Sequence, residues 1–177
     1  VPAPLIRYPI RQIAYYCDDV VAAARHHAAM FGSGPYFVTG RVPLTYCHYR
    51  GAPGHLDHIS ALGQWGEVMI EFCTQFGDDK SAFRDLYPNG GGGIHHVTLI
   101  VDDQAAEVRR FNEAGYETVT DAEGAGIRFV MVDTVRDFGH FVEIYEPSSG
   151  IVWLYDTVRE AARDYDGGDL IRPLTFS

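Results

Sequence analysis

Four side chains in this sequence stand where polar groups are expensive to place. Glu71 lies within MIEF and Glu143 within FVEIY, each a lone carboxylate among apolar and aromatic neighbours. A carboxylate so placed must be hydrogen-bonded, protonated, close to an opposite charge or bound to a cation. Gln12 and His96 lie in two further strand-like runs, IRQIAYY and IHHVTLIV. If residues 94–101 form a strand, its period of two puts His95, Val97, Leu99 and Val101 on one face and His96, Thr98 and Ile100 on the other. His96 then shares the more polar face, and His95 is assigned to core packing. A histidine, an amide and two carboxylates make a mixed N/O donor set suited to Zn, Ni, Co, Mn or Fe.

The elements that must position these groups are set by an internal repeat. Gln12 and His96 are 84 residues apart, as are Asp18 and Asp102, and Asp19 and Asp103. Glu71 follows Gln12 by 59 residues and Glu143 follows His96 by 47, an excess of 12 that the GAPGHLDHIS region can absorb as a longer loop. Both halves read βαβββ. The first has strands at Ile10–Cys17, Tyr36–Arg41, Leu44–Tyr49 and Val68–Cys73. Its helix, Ala22–Met30, is capped by Asp18 or Asp19 and ended by Gly32 and Pro35. The second has strands at Ile94–Val101, Tyr116–Thr120, Ile127–Val132 and His140–Tyr145, with a helix from Asp102 or Asp103 through Ala114 that Gly115 stops. A connector carries a short helix, Ser81–Leu86, and the glycine run 90–93, which reads as a flexible turn: it lacks a preceding strand and the lysine of a phosphate loop. A last helix, Ile151–Tyr165, has an apolar stripe at Ile151, Leu154, Val158, Ala161 and Tyr165 that packs on the body. Its Trp153, Leu154 and Tyr155 are assigned to docking, not chemistry. The expected fold is therefore α+β, with two tandem βαβββ modules, 10–76 and 94–147, joined by connector 77–93. Their curved mixed sheets enclose a cavity, and residues 148–177 add a C-terminal helix and tail after an N-terminal arm, 1–9.

Composition narrows the partners. The formal charge is −10, and Lys80 is the only lysine. No basic stripe is available to neutralise phosphates, which argues against nucleic acid and anionic membranes and for a small-molecule substrate. Cys17, Cys47 and Cys73 are odd in number and lie in apolar runs, which suits reduced thiols in a cytoplasmic protein. No stretch reads as a secretory or membrane-spanning segment. His26 and His27 are adjacent in a helix and do not face a common point, so they are set aside as ligands. His55, His58 and His140 are candidates for the cavity mouth but are assigned to structural or solvent-facing positions. Tyr16, Phe37, Tyr46, Trp65 and Phe141 are the expected pocket walls, favouring a partly apolar substrate.

The repeat, the strand HHVTLIVDD and the strand-embedded glutamates resemble the vicinal oxygen chelate superfamily, which includes glyoxalase I, methylmalonyl-CoA epimerase, extradiol dioxygenases and bleomycin-resistance proteins. The likeness covers roughly Ile10 to Glu146. FRDLYPNGGGGIHHV and GHFVEIYE are most similar to the glyoxalase-like and epimerase-like branch. The resemblance places metal ligands on Gln12, Glu71, His96 and Glu143, and it implies homodimers. Gln12 departs from the histidine of epimerases and extradiol dioxygenases but matches the glutamine of animal-type glyoxalase I. The expected activity is that of a divalent-metal-dependent isomerase, epimerase or lyase. Glu71 or Glu143 would remove a proton α to a carbonyl, the ion stabilising the enolate. An Fe(II) ring-cleaving dioxygenase and a metal-free, antibiotic-sequestering binder are the alternatives.

Overall fold

The computed structural model describes residues 4–175. The chain begins with β1 (Ile10–Tyr16) and α1 (Val20–Phe31), then β2 (Tyr36–Thr39), β3 (Leu44–Tyr49), β4 (Ala52–Pro53), β5 (Asp57–Trp65) and β6 (Val68–Phe76). After α2 (Ala82–Leu86) come β7 (Gly93–Ile100), α3 (Gln104–Glu113), β8 (Thr118–Gly124), β9 (Ile127–Val132), α4 (Val135–Phe138) and β10 (Phe141–Tyr145). The chain closes with α5 (Ser149–Ala162) and β11 (Ile171–Leu174).

Local chemistry sets the repeated helix starts. Asp19 accepts the backbone N–H groups of Val21 and Ala22, at 2.9 and 3.0 Å, and opens α1. Asp103, 84 residues on, accepts that of Ala106 at 2.8 Å and opens α3. Each carboxylate satisfies donors that a helix N-terminus leaves orphaned. Gly32, at φ 69°, closes α1 in the left-handed region that glycine adopts at least cost.

The strands form one continuous mixed sheet in the order β11-β2-β5-β6-β1-β7-β10-β9-β8-β3-β4. Each half pairs its first strand parallel to its last, β1 with β6 and β7 with β10, and β1 joins β7 antiparallel at the centre. The register is repeated as well: Gln12 lies beside Met69 and Ala14 beside Glu71, while His96 lies beside Phe141 and Thr98 beside Glu143. All four repeat pairs thus occupy equivalent places.

Two faces result. On the outer face α1 covers Ile70, Phe72 and Ala61 through Val20 and Ala24, and α3 covers Val97, Leu99, Val142 and Ile144 through Phe111. Residues 4–9 ahead of β1 run beside α3, with Leu5 and Tyr8 against that cluster and Arg7 paired to Glu107. The inner face carries two apolar clusters. Tyr16, Cys73, Phe83, Phe129 and Phe141 form one. Leu62, Met69 and Ile127 form the other, closed by Ile151, Leu154, Tyr155 and Val158 of α5. Burial at about 2 kcal/mol for each such side chain is what docks α5.

Several sequence expectations need correction. Asp57–Trp65, read as loop over its first four residues and otherwise unassigned, is a nine-residue strand, and it supplies the middle position of the first half. Leu44–Tyr49 is a strand but leaves its own half to pair with β8, its Tyr46 beside Glu123 and its His48 beside Asp121. The tail includes β11, which pairs parallel with β2. The glycine run is a fitted connector. Gly91 N–H donates to Asp18, and a Cβ on Gly92 would stand 2.4 Å from the Tyr16 carbonyl oxygen. All three cysteines are free.

Candidate functional site

Between the two inner clusters runs a polar belt. Gln12, Ser60, Glu71, His96, Thr98 and Glu143 project from β1, β5, β6, β7 and β10, the strands around the centre of the sheet. His96 is 2 % exposed and Glu143 3 %, so each lone pair and proton here must find a partner within the protein.

Glu71 is held on both oxygens. Ser60 Oγ donates to Oε1 at 2.5 Å, and Gln12 Nε2 donates to Oε2. Glu143 Oε2 accepts Thr98 Oγ1 at 2.9 Å. The Tyr155 hydroxyl of α5 donates to Gln12 Oε1 at 2.6 Å, so the C-terminal helix reaches into the belt. His96 Nε2 lies 3.4 Å from Glu71 Oε2 and 3.3 Å from Glu143 Oε2, aligned to neither as a hydrogen bond.

The other nitrogen of His96 is fixed by a bulge. Ala14 pairs with His96 and Tyr15 with Ile94, leaving His95 as the extra residue in β7. This breaks the strict alternation assumed from sequence. His95 lies beside the rings of Phe83 and Phe141, at 4.4 and 5.1 Å, and its Nδ1 contacts His96 Nδ1 at 2.8 Å. Burial drives the His95 pKa well below the ordinary value, with His96 adding to the effect, so His95 is neutral. Of the pair His96 is the one that holds its proton, so His95 Nδ1 accepts and His96 Nδ1–H donates, the arrangement that directs the opposite nitrogen of a histidine at a ligand. For His96 itself burial works against charge, but Glu143 and then Glu71 outweigh it and push the pKa up to about 10. Burial alone would raise Glu71; His96 and Ser60 reverse that and leave it lowered.

The belt offers donors for a divalent ion. Two donors bonded at about 2.1 Å to one tetrahedral ion stand roughly 3.4 Å apart, which is the spacing of His96 Nε2 from both carboxylates. An enclosed, unaligned Nε2 flanked by two carboxylate oxygens fits a cation. Gln12 fits less directly because its amide nitrogen faces Glu71; its Oε1 keeps one lone pair beyond that used by Tyr155. Among the described residues no three His, Cys, Asp or Glu side chains form a ready-made cage.

The belt opens on a cavity of about 100 Å³ walled by Val42, Leu44, His58, Leu62, Ile127, Phe129, Ile151 and Leu154, with Glu71, Gln12, Ser60 and Tyr155 on its polar side. A groove of about 440 Å³, lined by Arg41, Tyr46 and His55, shares Val42 and Leu44 with it. Of the expected wall residues, Tyr46 lines this groove. Tyr16 is stacked on Tyr87 at 5.3 Å and Phe141 is buried beside His95. Phe37 packs against the cluster that includes the wall residues Leu62 and Ile127, and Trp65 is 42 % exposed beside Phe31. Aliphatic side chains share the cavity wall with Phe129, Tyr145 and Tyr155 instead. Ser60 was not singled out from sequence, Thr98 was placed on the face of His96 without a role, and Tyr155 was assigned to docking alone, whereas its hydroxyl reaches Gln12. His58 lines the cavity instead of a structural or solvent-facing position. His55 is exposed and paired with Asp79, while His27 is buried against Ser33 and Tyr36.

The fold recurs in solved structures of low identity. Methylmalonyl-CoA epimerase from Mycobacterium tuberculosis is 17% identical, with a TM-score of 0.56 over 86% of this chain and 96% of that one. A methylmalonyl-CoA epimerase from Streptomyces coelicolor in complex with 2-nitronate-propionyl-CoA is 15% identical, with a TM-score of 0.53 over 80% and 99%. A hypothetical protein from Bacillus halodurans is 15% identical, with a TM-score of 0.56 over 81% and 97%. No curated protein matches the chain. A family model matches residues 11–131, which include Gln12, Glu71 and His96, and by that match the chain belongs to the Glyoxalase/Bleomycin resistance protein/Dioxygenase superfamily.

Proposed function

We propose that this protein is a divalent-metal-dependent enzyme of the glyoxalase type, an isomerase, epimerase or lyase that removes a proton α to a carbonyl of a small, partly apolar substrate. One observation carries the reading: the enclosed His96 Nε2, midway between Glu71 and Glu143 at 3.4 and 3.3 Å, beside the cavity. His96, Glu71 and Glu143 would hold the ion, with Gln12 as a fourth ligand through its remaining amide-oxygen lone pair. The ion would supply Lewis-acid stabilisation of the enolate oxygen, and Zn, Ni, Co, Mn and Fe all suit this donor set.

The other steps belong to the chain's own residues. Glu71 lines the cavity, whereas Glu143 is turned to Thr98 and does not. Glu71 is therefore assigned as the general base, since a carboxylate facing the cavity is ionised at neutral pH and able to accept a proton. Ser60 and Gln12 hold its two oxygens in place. The cavity of about 100 Å³ leaves room for a few heavy atoms beside the belt. Return of the proton to carbon gives an isomerase or epimerase, and loss of a β-substituent gives a lyase. The fold neighbours include epimerases of an acyl-CoA with an acidic α-proton, which supports the reaction class. The single lysine offers little for a phosphorylated tail.

The test is exchange of substrate protons with solvent. Protein loaded with each of the five metals in turn and given hydroxyacetone in D2O should incorporate deuterium α to the carbonyl, read by proton NMR. Exchange no faster than in buffer for every metal would overturn the reading.

A further inference from the structure

One polar ring on the cavity wall, the His58 imidazole, carries a nitrogen whose bonding the protein does not complete. Ser60 Oγ is committed to Glu71, and both ends of the Gln12 amide are taken by Glu71 and Tyr155. Thr39 Oγ1 donates to the Ser60 carbonyl and accepts the Ser60 N–H. The Tyr155 hydroxyl is spent on Gln12. His58 alone among these lining groups has no such partner, and its Nδ1 is enclosed without a hydrogen bond. An unpartnered buried nitrogen costs about 1–3 kcal/mol, a cost retained at few places in a folded protein without use.

His58 also stands in the right place. It precedes Ser60 by two residues on β5, so both project from the same face, about 7 Å apart along the strand. Ser60 reaches the Glu71 carboxylate; His58 occupies the next inward position on that strand. The ring of Phe83 packs near its imidazole, with centroids 6.1 Å apart, and restricts its orientation. Burial lowers the His58 pKa although Glu71 and Glu143 act the other way, so the ring is neutral and carries one donor and one acceptor nitrogen.

We propose that the His58 imidazole hydrogen-bonds an oxygen of the bound substrate, the carbonyl or the adjacent hydroxyl, and so selects small oxygenated carbonyl compounds over plain hydrocarbons. This rests on the α-proton chemistry proposed above for its meaning in catalysis, but the contact is one of binding and can be measured without turnover.

Protein labelled with 15N at its eight histidines is titrated with hydroxyacetone, the His58 ring signals being assigned by their loss in His58→Phe. The expected result is a saturable shift of a His58 ring nitrogen. His58→Phe, which keeps a ring of similar bulk, should weaken hydroxyacetone binding about five- to tenfold. His58→Asn places an amide nitrogen near Nδ1 and His58→Gln places one near Nε2, and one of the two should restore affinity to within about twofold. His58 signals that stay put at every hydroxyacetone concentration, or a His58→Phe protein that binds as tightly as the unmodified one, overturns the proposal. Cobalt uptake by the same samples separates the two ideas. Unmodified protein that takes up no cobalt counts against the metal-dependent enzyme, while the nitrogen shift still decides the role of His58.

Discussion

Replacing Glu71 with glutamine probes the base assignment at little structural cost. The glutamine carbonyl can accept the Gln12 amide as Oε2 does now, and its nitrogen can donate to Ser60 Oγ where Oε1 now accepts. Both contacts survive with their polarity rearranged, and the main loss is charge attraction to His96, 3.4 Å away. The fold should therefore lose only about 1–3 kcal/mol, measurable by urea unfolding. Chemistry should suffer far more, because an amide cannot accept the substrate proton. Loss of a positioned general base lowers a rate by about 10²–10⁴-fold, or roughly 2.7–5.4 kcal/mol of barrier. The assay is deuterium incorporation into hydroxyacetone by protein shown to carry its full complement of metal. Glu143→Gln is the control: it stands on Thr98, away from the cavity, so it should weaken metal binding but change exchange at full metal loading by less than tenfold. A Glu71→Gln protein that exchanges within threefold of the unmodified rate would refute the assignment, and a selective loss in Glu143→Gln would move the base to that residue.

Three further outcomes follow from individual contacts. Tyr155→Phe removes the 2.6 Å hydrogen bond to Gln12 Oε1 in a buried place, and urea unfolding should show a loss of about 1–3 kcal/mol; no change would mean that α5 docks through its aliphatic residues alone. Gly92→Ala would press a methyl against the Tyr16 carbonyl and should lower stability by about 1–3 kcal/mol, whereas Gly126→Ala, in open space but at φ 72°, tests backbone strain without the clash. Burial pushes the Asp121 carboxyl up, but hydrogen bonds from Arg128 and Tyr46 reverse this and hold its pKa below the ordinary value. Its stabilisation is then present above the unfolded value of about 3.9 and is lost as pH falls through the lower folded value, so the cost of Asp121→Asn should shrink in acid; a cost that grows in acid would contradict this.

The parts of the fold visible in the sequence are those written twice. The 84-residue offset pairs Gln12 with His96 and Asp19 with Asp103, and the structure gives both members of each pair equivalent register or capping roles. β5 escaped detection for a physical reason. Its inward positions, His58, Ser60 and Leu62, have mixed polarity because they face the belt and the cavity, and Gly63 lacks a side chain because a Cβ there would meet the Tyr36 ring at 2.6 Å. Alternation is weakest in such a strand. The pairing of β3 with β8 is a long-range choice that no local pattern records. His95 was assigned to the wrong face because a bulge interrupts the period of two, and bulges depend on the partner strand. Of the expected aromatic walls, Tyr46 lines the adjoining groove, while Tyr16 and Phe141 are buried in the inner aromatic cluster.

The most direct test of the central claim is to locate a cation. Crystals grown with Co²⁺ and measured at the cobalt absorption edge should show one anomalous peak per chain, about 2.0–2.3 Å from His96 Nε2 and from a carboxylate oxygen of Glu71 and of Glu143. Absence of a peak there at full cobalt exposure, with His96 still lying between the two carboxylates, would contradict the account.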